Sequence, residues 1–156
     1  MTVSVRYEVD GWGVGELWLA GETLLWHELP GVPATGPDPR ARRHNGLADR
    51  LRQYFDGARD SFADVAIDIE DATPFQRAVV AALRRVPFGE VVSYGELAAL
   101  AGYPNAQRAA GSVCAHNRWP IVVPCHRVVA AKGIGGYGPS GVAVKRRLLE
   151  HEGVFL

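Results

Sequence analysis

Five consecutive residues, Pro124-Cys125-His126-Arg127-Val128, set a thiol, an imidazole and a guanidinium side by side. A cysteine is most often a small buried hydrophobe. Here the apolar run Ile121-Val122-Val123-Pro124 leads into it and can hold the sulfur rigidly, and two potential cations follow at once. Nearby positive charge favours thiolate over thiol, and the thiolate is the nucleophile. Neighbours i and i+1 project to different sides of a strand or helix. His126 is therefore expected to reach Cys125 through a water rather than directly. Its other ring nitrogen then needs an orienting acid, and Glu152 near the C-terminus is the candidate. Carboxylate, imidazole, water and thiol in series follow the logic of a nucleophile, its base and an orienter.

These residues need elements to position them. Residues 3–9, 15–20 and 23–28 alternate or run apolar and predict three strands, the last two joined at Gly21-Glu22. Residues 29–45, rich in Pro, Gly and Arg, predict an irregular connection. Residues 46–56 place Leu47, Leu51 and Tyr54 on one helical face, and 64–70 alternate as a last strand. The pattern then changes. Thr73-Pro74 opens a helix to about Val86, and Ser93 or Tyr94 opens a second that stops at Gly102. Tyr103-Pro104-Asn105 is a turn, a third helix spans about 106–116, and a final helix follows the Gly-rich stretch 132–141. Two short helices on a tight turn fit a helix-turn-helix. The expected fold is α/β: a small sheet-plus-helix domain over 1–71, then a mostly helical, winged-helix-like domain over 72–156 that carries Cys125.

Composition sets bounds. The 156 residues are 47% hydrophobic and 22% charged, as in ordinary globular proteins, with only two cysteines, Cys114 and Cys125. Two thiols make neither a disulfide framework nor a four-ligand zinc pattern, so a reducing cytoplasm is expected. The opening MTVSVRYEVD lacks the pattern of a signal peptide, and no apolar run is long enough to span a bilayer. Net charge is zero, but residues 1–70 hold 7 basic and 12 acidic residues, a balance of −5, and residues 71–156 hold 10 and 5, a balance of +5. The C-terminal half alone could hold a polyanion.

Beyond the Cys125 pentapeptide, Pro74-Phe75-Gln76, Pro87-Phe88-Gly89-Glu90, Ser93-Tyr94-Gly95-Glu96, Arg108-Ala109-Ala110-Gly111, Asn117 and Gly136-Tyr137-Gly138 follow one another in order. Together they resemble the O6-alkylguanine-DNA alkyltransferases, from Thr73 to about Gly153. The first 70 residues are similar only loosely, as the RNase H-like sheet domain of that family. The resemblance implies repair of double-stranded DNA by one monomeric chain. The alkyl group of O6-alkylguanine would pass to Cys125 in a single turnover, with no cofactor and no metal. It implies a His126–Glu152 relay to Cys125, and Asn117 bending the chain between the recognition helix and the active-site strand. Tyr94, the Val128 backbone, Tyr137 and Gly138 would hold the flipped base. Arg108 would fill the gap left in the duplex, and Ala106, Ala109, Ala110, Gly111 and Ser112 would make a helix slim enough for the minor groove.

The sequence departs from the family pattern at Ala110, where Val is usual, at Asn117-Arg118, where Asn-Pro is usual, and at Pro139. These positions bear on substrate size. Two other classes compete: a lesion-binding relative without chemistry, which Cys125 argues against, and a helix-turn-helix regulator that uses Cys125 as a redox sensor with Cys114 as its partner.

Overall fold

Alternation builds a meander at the start of the chain. A computed structural model describes residues 1–32 and 45–156. Strands β1 (Thr2–Val9), β2 (Gly13–Ala20) and β3 (Thr23–Val32) form an antiparallel sheet in the order β1-β2-β3, with Val5 opposite Leu17 and Trp18 opposite Trp26. Val5, Tyr7, Leu17, Leu19 and Leu24 point to one buried face. Gly15 sits under the Tyr7 ring, where a Cβ would lie 2.4 Å from Cζ. The Tyr7 hydroxyl and His27 Nε2 are hydrogen-bonded at 2.5 Å inside this face. The sheet exceeds its predicted limits: β3 continues through residues 29–32, which were expected to be irregular. Residues 33–44 of that connection lie outside the described residues.

Helix α1 (Gly46–Phe55) covers the sheet. Asn45 caps it by accepting from the Leu47 and Ala48 amides, and Ala48, Leu51, Tyr54 and Phe55 are its buried face. The predicted strand at 64–70 is not formed. Leu24 and Ile67 make one isolated parallel bridge. Both ends of the segment are held elsewhere: Arg50 binds the Asp64 carboxylate, and Arg77 donates to the Glu70 carbonyl. Alternation gave these residues the right faces but could not supply a partner free along its length.

Helix α2 (Pro74–Leu83) begins with a complete capping box between Thr73 and Gln76, and buries Val79, Val80, Ala82 and Leu83. It ends three residues before Val86. Helix α3 (Tyr94–Leu100) has a second capping box, Ser93 with Glu96. Helix α4 (Gln107–Ala115) follows a turn in which Asn105 takes a positive φ of 69°. Helix α5 (Val142–His151) closes the chain. Two short strands absent from the prediction, β4 (Val92–Ser93) and β5 (Val128–Val129), pair in parallel. They fasten the start of α3 to the residues just after Cys125. The chain divides into two compact units, Met1–Asp60 with Asp64–Asp68, and Ser61–Ala63 with Ile69–Leu156. No helix among the described residues is long and apolar enough to cross a membrane.

Candidate active site

The resemblance placed Cys125 at an active-site strand, and the structure places it just before β5 (Val128–Val129) instead. It opens a short 3-10 turn, Cys125–Arg127, tightened by the Cys125 amide donating to Val123 O at 2.8 Å. Every residue of that turn is buried. A 3-10 turn has about three residues per turn, so its three side chains leave in three directions. Cysteine, histidine and arginine thus face different neighbours, which adjacency in the sequence anticipated.

The sulfur is positioned by Asn117. Its Nδ2 donates to Val123 O at 2.8 Å and to Cys125 Sγ at 3.0 Å, while its Oδ1 accepts from the Trp119 amide at 2.9 Å. One amide therefore joins the end of α4 to the run that carries the thiol. Trp119 is buried, with the Arg118 guanidinium over its ring at 4.6 Å.

His126 is fully buried and donates through Nε2 to Glu152 at 2.7 Å. That bond fixes the tautomer and leaves Nδ1 as an acceptor, which is buried with no protein partner. Burial pushes the imidazole down from its ordinary value, against the raising effect of Glu152, so it is neutral at pH 7. Glu152 receives more than the one expected bond. Arg127 donates to both its oxygens at 2.9 Å, and the Gly89 amide adds a bond at 3.2 Å. Burial alone would raise this carboxyl, but His126 and Arg127 outweigh it and hold it well below the usual carboxylate range.

This corrects one sequence reading. Arg127 does not lend its charge to the thiol; it is consumed by Glu152 and by Val86 O at 2.8 Å. The cation near the sulfur is Lys145 of α5, which is fully buried and was not singled out. A signal was present. Lys145, Leu148, Leu149 and Glu152 fall at helical spacing on one stripe, and a lysine there stands where the periodicity asks for an apolar residue.

The remaining predicted residues fall in three groups. Tyr94 is half-buried, and its ring packs near Gly111 of α4 and under the Lys145 ammonium, 5.7 Å from the ring centroid. Tyr137 lies beside the sulfur, and Gly138 opens a 3-10 turn, Gly138–Ser140, at φ 49°. A Cβ on Gly138 would lie 2.9 Å from the Ala115 carbonyl, so that wall and the end of α4 touch backbone to backbone. Val128 is buried in β5. On α4, Arg108, Ala109 and Ser112 face outward. Ala106 is half-buried at the helix start, and Gly111 is half-buried against Tyr94. Ala110 departs from its expected place: it is fully buried and cannot present a face to a partner. Among the described residues no His, Cys, Asp and Glu cluster could hold a metal ion.

A buried thiol held by an asparagine, next in sequence to a histidine paired with a carboxylate, stands behind two helices on a tight turn: a helix-turn-helix unit with a buried cysteine site. The model of the 6-O-methylguanine DNA methyltransferase DNA-binding domain matches residues 74–154. The methylated-DNA–protein-cysteine methyltransferase of Mycobacterium tuberculosis is 47% identical over 157 residues, 95% of this chain and 92% of that protein. That of Shigella flexneri is 45% identical over 126 residues, 80% and 68% of the two chains. The crystal structure of Mycobacterium tuberculosis OGT in complex with DNA superposes with a TM-score of 0.78 at 37% identity, over 96% of this chain and 92% of that one. The O6-methylguanine-DNA methyltransferase of Pyrococcus kodakaraensis gives 0.74 at 27% identity, over 99% and 100%. The chain belongs to the methylated-DNA–protein-cysteine methyltransferase family. Its α/β fold with a helix-turn-helix is the one that the sequence predicted.

Proposed function

We propose that this protein repairs DNA by taking the alkyl group of O6-alkylguanine onto Cys125, once per molecule and without a cofactor. The observation that carries the reading is the held sulfur: Asn117 fixes Sγ at 3.0 Å, next in sequence to a histidine whose proton-bearing nitrogen is locked on Glu152. His126 Nδ1 takes the thiol proton through a water. The thiolate attacks the alkyl carbon, a C–S bond forms, the C–O6 bond breaks, and its electron pair leaves on the guanine. Burial, and then the nearby thiols, raise the Tyr94 hydroxyl above its ordinary value, so it is protonated and can give the departing base a proton. The thioether formed has no hydrolytic route back, so the chain is spent. Cys125 is buried, which disfavours the redox-sensor reading, since a sensor thiol must meet its oxidant.

The target oxygen lies inside the duplex, so the nucleotide must be flipped at a cost of a few kcal/mol. One chain supplies every group named, so a monomer is sufficient. The outward face of α4, with Ala109 and Ser112 small and Arg108 free to extend, suits the minor groove, and the whole reading suits a reducing cytoplasm. The direct test is mass spectrometry after mixing with duplex DNA holding O6-methylguanine. The Cys125 peptide should gain one CH₂, about 14 Da, at one per chain. Methyl on Cys114 instead would overturn the assignment.

Arg108 separates flipping from chemistry. Arg108→Ala should slow repair of the duplex by about tenfold or more, the scale of a few kcal/mol of extrusion cost. Reaction with free O6-benzylguanine, which needs no extrusion, should change much less. Equal slowing of both substrates would show a folding or pocket defect and rule out the extrusion role.

A further inference from the structure

Asn117 and Cys125 stand eight positions apart, a separation of about 26 Å in an extended chain. Asn117 Nδ2 nevertheless lies 3.0 Å from Sγ. The chain between them must reverse, and Asn117-Arg118-Trp119-Pro120-Ile121-Val122-Val123-Pro124-Cys125 contains no glycine. The reversal falls on Ile121, whose φ is 72°. Among the described residues three that are not glycine take a positive φ, Phe62, Asn105 and Ile121, and only Ile121 is β-branched. A branched side chain fits this region worst, because its Cβ crowds the backbone. Such a conformation persists only where the surroundings impose it, and it collects at functional sites.

The surroundings here are a closed ring of bonds. The Trp119 amide donates to Asn117 Oδ1 at 2.9 Å, and the Trp119 carbonyl accepts from the Val123 amide at 2.8 Å. The Val123 carbonyl accepts from Asn117 Nδ2 and from the Cys125 amide, both at 2.8 Å. The turn with Ile121 at its middle thus presents both edges to one side-chain amide, whose second Nδ2 proton goes to the sulfur. Glycine would take this φ freely. Isoleucine is strained there, yet it is only 1% exposed, and Val122 and Val123 beside it are fully buried. The strained backbone is held by what its side chain gains in the apolar interior.

We infer that Ile121 is a positioning residue of the acceptor site: a buried side chain on a left-handed backbone that keeps the 119–123 turn closed, so that Asn117 meets Sγ. The inference rests on the reading of Cys125 as the alkyl acceptor and adds the part that keeps the thiol and its donor in register. Ile121 acts through Asn117. Without the buried side chain, residues 119–123 sample other turns, and the bond to the sulfur is made only part of the time. Burial pushes the Cys125 thiol up, and the Asn117 bond is the first influence that opposes it. A loosened turn therefore moves ionisation of the thiol to higher pH.

Iodoacetamide labelling of the Cys125 peptide against pH reads this without alkylated DNA, so its failure is separable from failure of the alkyl-transfer reading. Ile121→Gly relaxes the backbone and removes the buried side chain. The inflection should rise by about half a unit, a roughly threefold loss of thiolate below it. Ile121→Val, which keeps the branch and the burial, should retain the parent's inflection. In an Asn117→Ala background Ile121→Gly should add nothing, because the two residues act along one line. A folded Ile121→Gly variant with the parent's inflection would overturn the inference, and so would an equal rise with and without Asn117. Should Ile121→Gly not fold, hydrogen exchange on Ile121→Ala decides. The Val123 amide, bonded to Trp119, should exchange about tenfold faster than in the parent, and the Leu83 amide of α2 should change much less. Equal changes at both amides, or none at Val123, would leave Ile121 a packing residue only and end the proposal.

Discussion

Cys125→Ser should reduce methyl transfer from O6-methylguanine DNA to the uncatalysed background while the protein remains folded and still binds DNA. Serine keeps the size and the hydrogen bond from Asn117, which now meets Oγ in place of Sγ. It loses the acidity. A thiol ionises near pH 8.5 and can be drawn lower by its surroundings, whereas no group at this site could bring an alcohol within reach. Transfer assayed with labelled methyl groups, beside a gel-shift measurement of binding, checks both halves. Residual transfer at even a hundredth of the parent rate would mean that another nucleophile serves, and the reading of Cys125 would fall.

Glu152→Ala is the largest stability change that the structure points to. The carboxylate satisfies Arg127 twice, His126 once and the Gly89 amide once. Removing it strands a buried guanidinium, at a cost of about 3–5 kcal/mol. In a protein of this size that lowers Tm by about 10 °C. Denaturant titration should show the loss, and a change below about 1 kcal/mol would mean that water reaches Arg127 and replaces the carboxylate. The pH dependence follows from the direction of the shift. The Glu152 carboxyl is held below its unfolded value, so it contributes stability above about pH 4.5. That contribution is lost as pH falls below this point, because the unfolded chain then takes up the proton first. In Glu152→Ala this part of the acid sensitivity should be gone.

Much of this was legible beforehand, for physical reasons. The capping residues Thr73 and Ser93 announce their helices, because an exposed amide at a helix start needs an acceptor that only a few side chains provide. The pairing of His126 with Glu152 was expected from the sequence, whereas the bond from Asn117 to the Cys125 sulfur was not. Two other things were hidden. Strand pairing is a property of two segments, so the alternation at 64–70 could not show that Arg50 and Arg77 would take its ends. Charge partners are equally non-local. Arg127 reads as a companion of the thiol because it is two residues away, yet its guanidinium crosses to Glu152, 25 positions on. Lys145 does the reverse, arriving from α5 to stand near a sulfur 20 positions earlier.

The bare contact between Gly138 and the Ala115 carbonyl has a mechanical meaning. Two backbones that meet without a side chain between them have no soft layer to absorb displacement, since packed interiors are stiff. The end of α4 and the Gly138 backbone are in direct contact. A shift of the last turn of α4 therefore presses directly on the Gly138 backbone. Widening either backbone at this contact would have to move the other, because no side chain lies between them to give way.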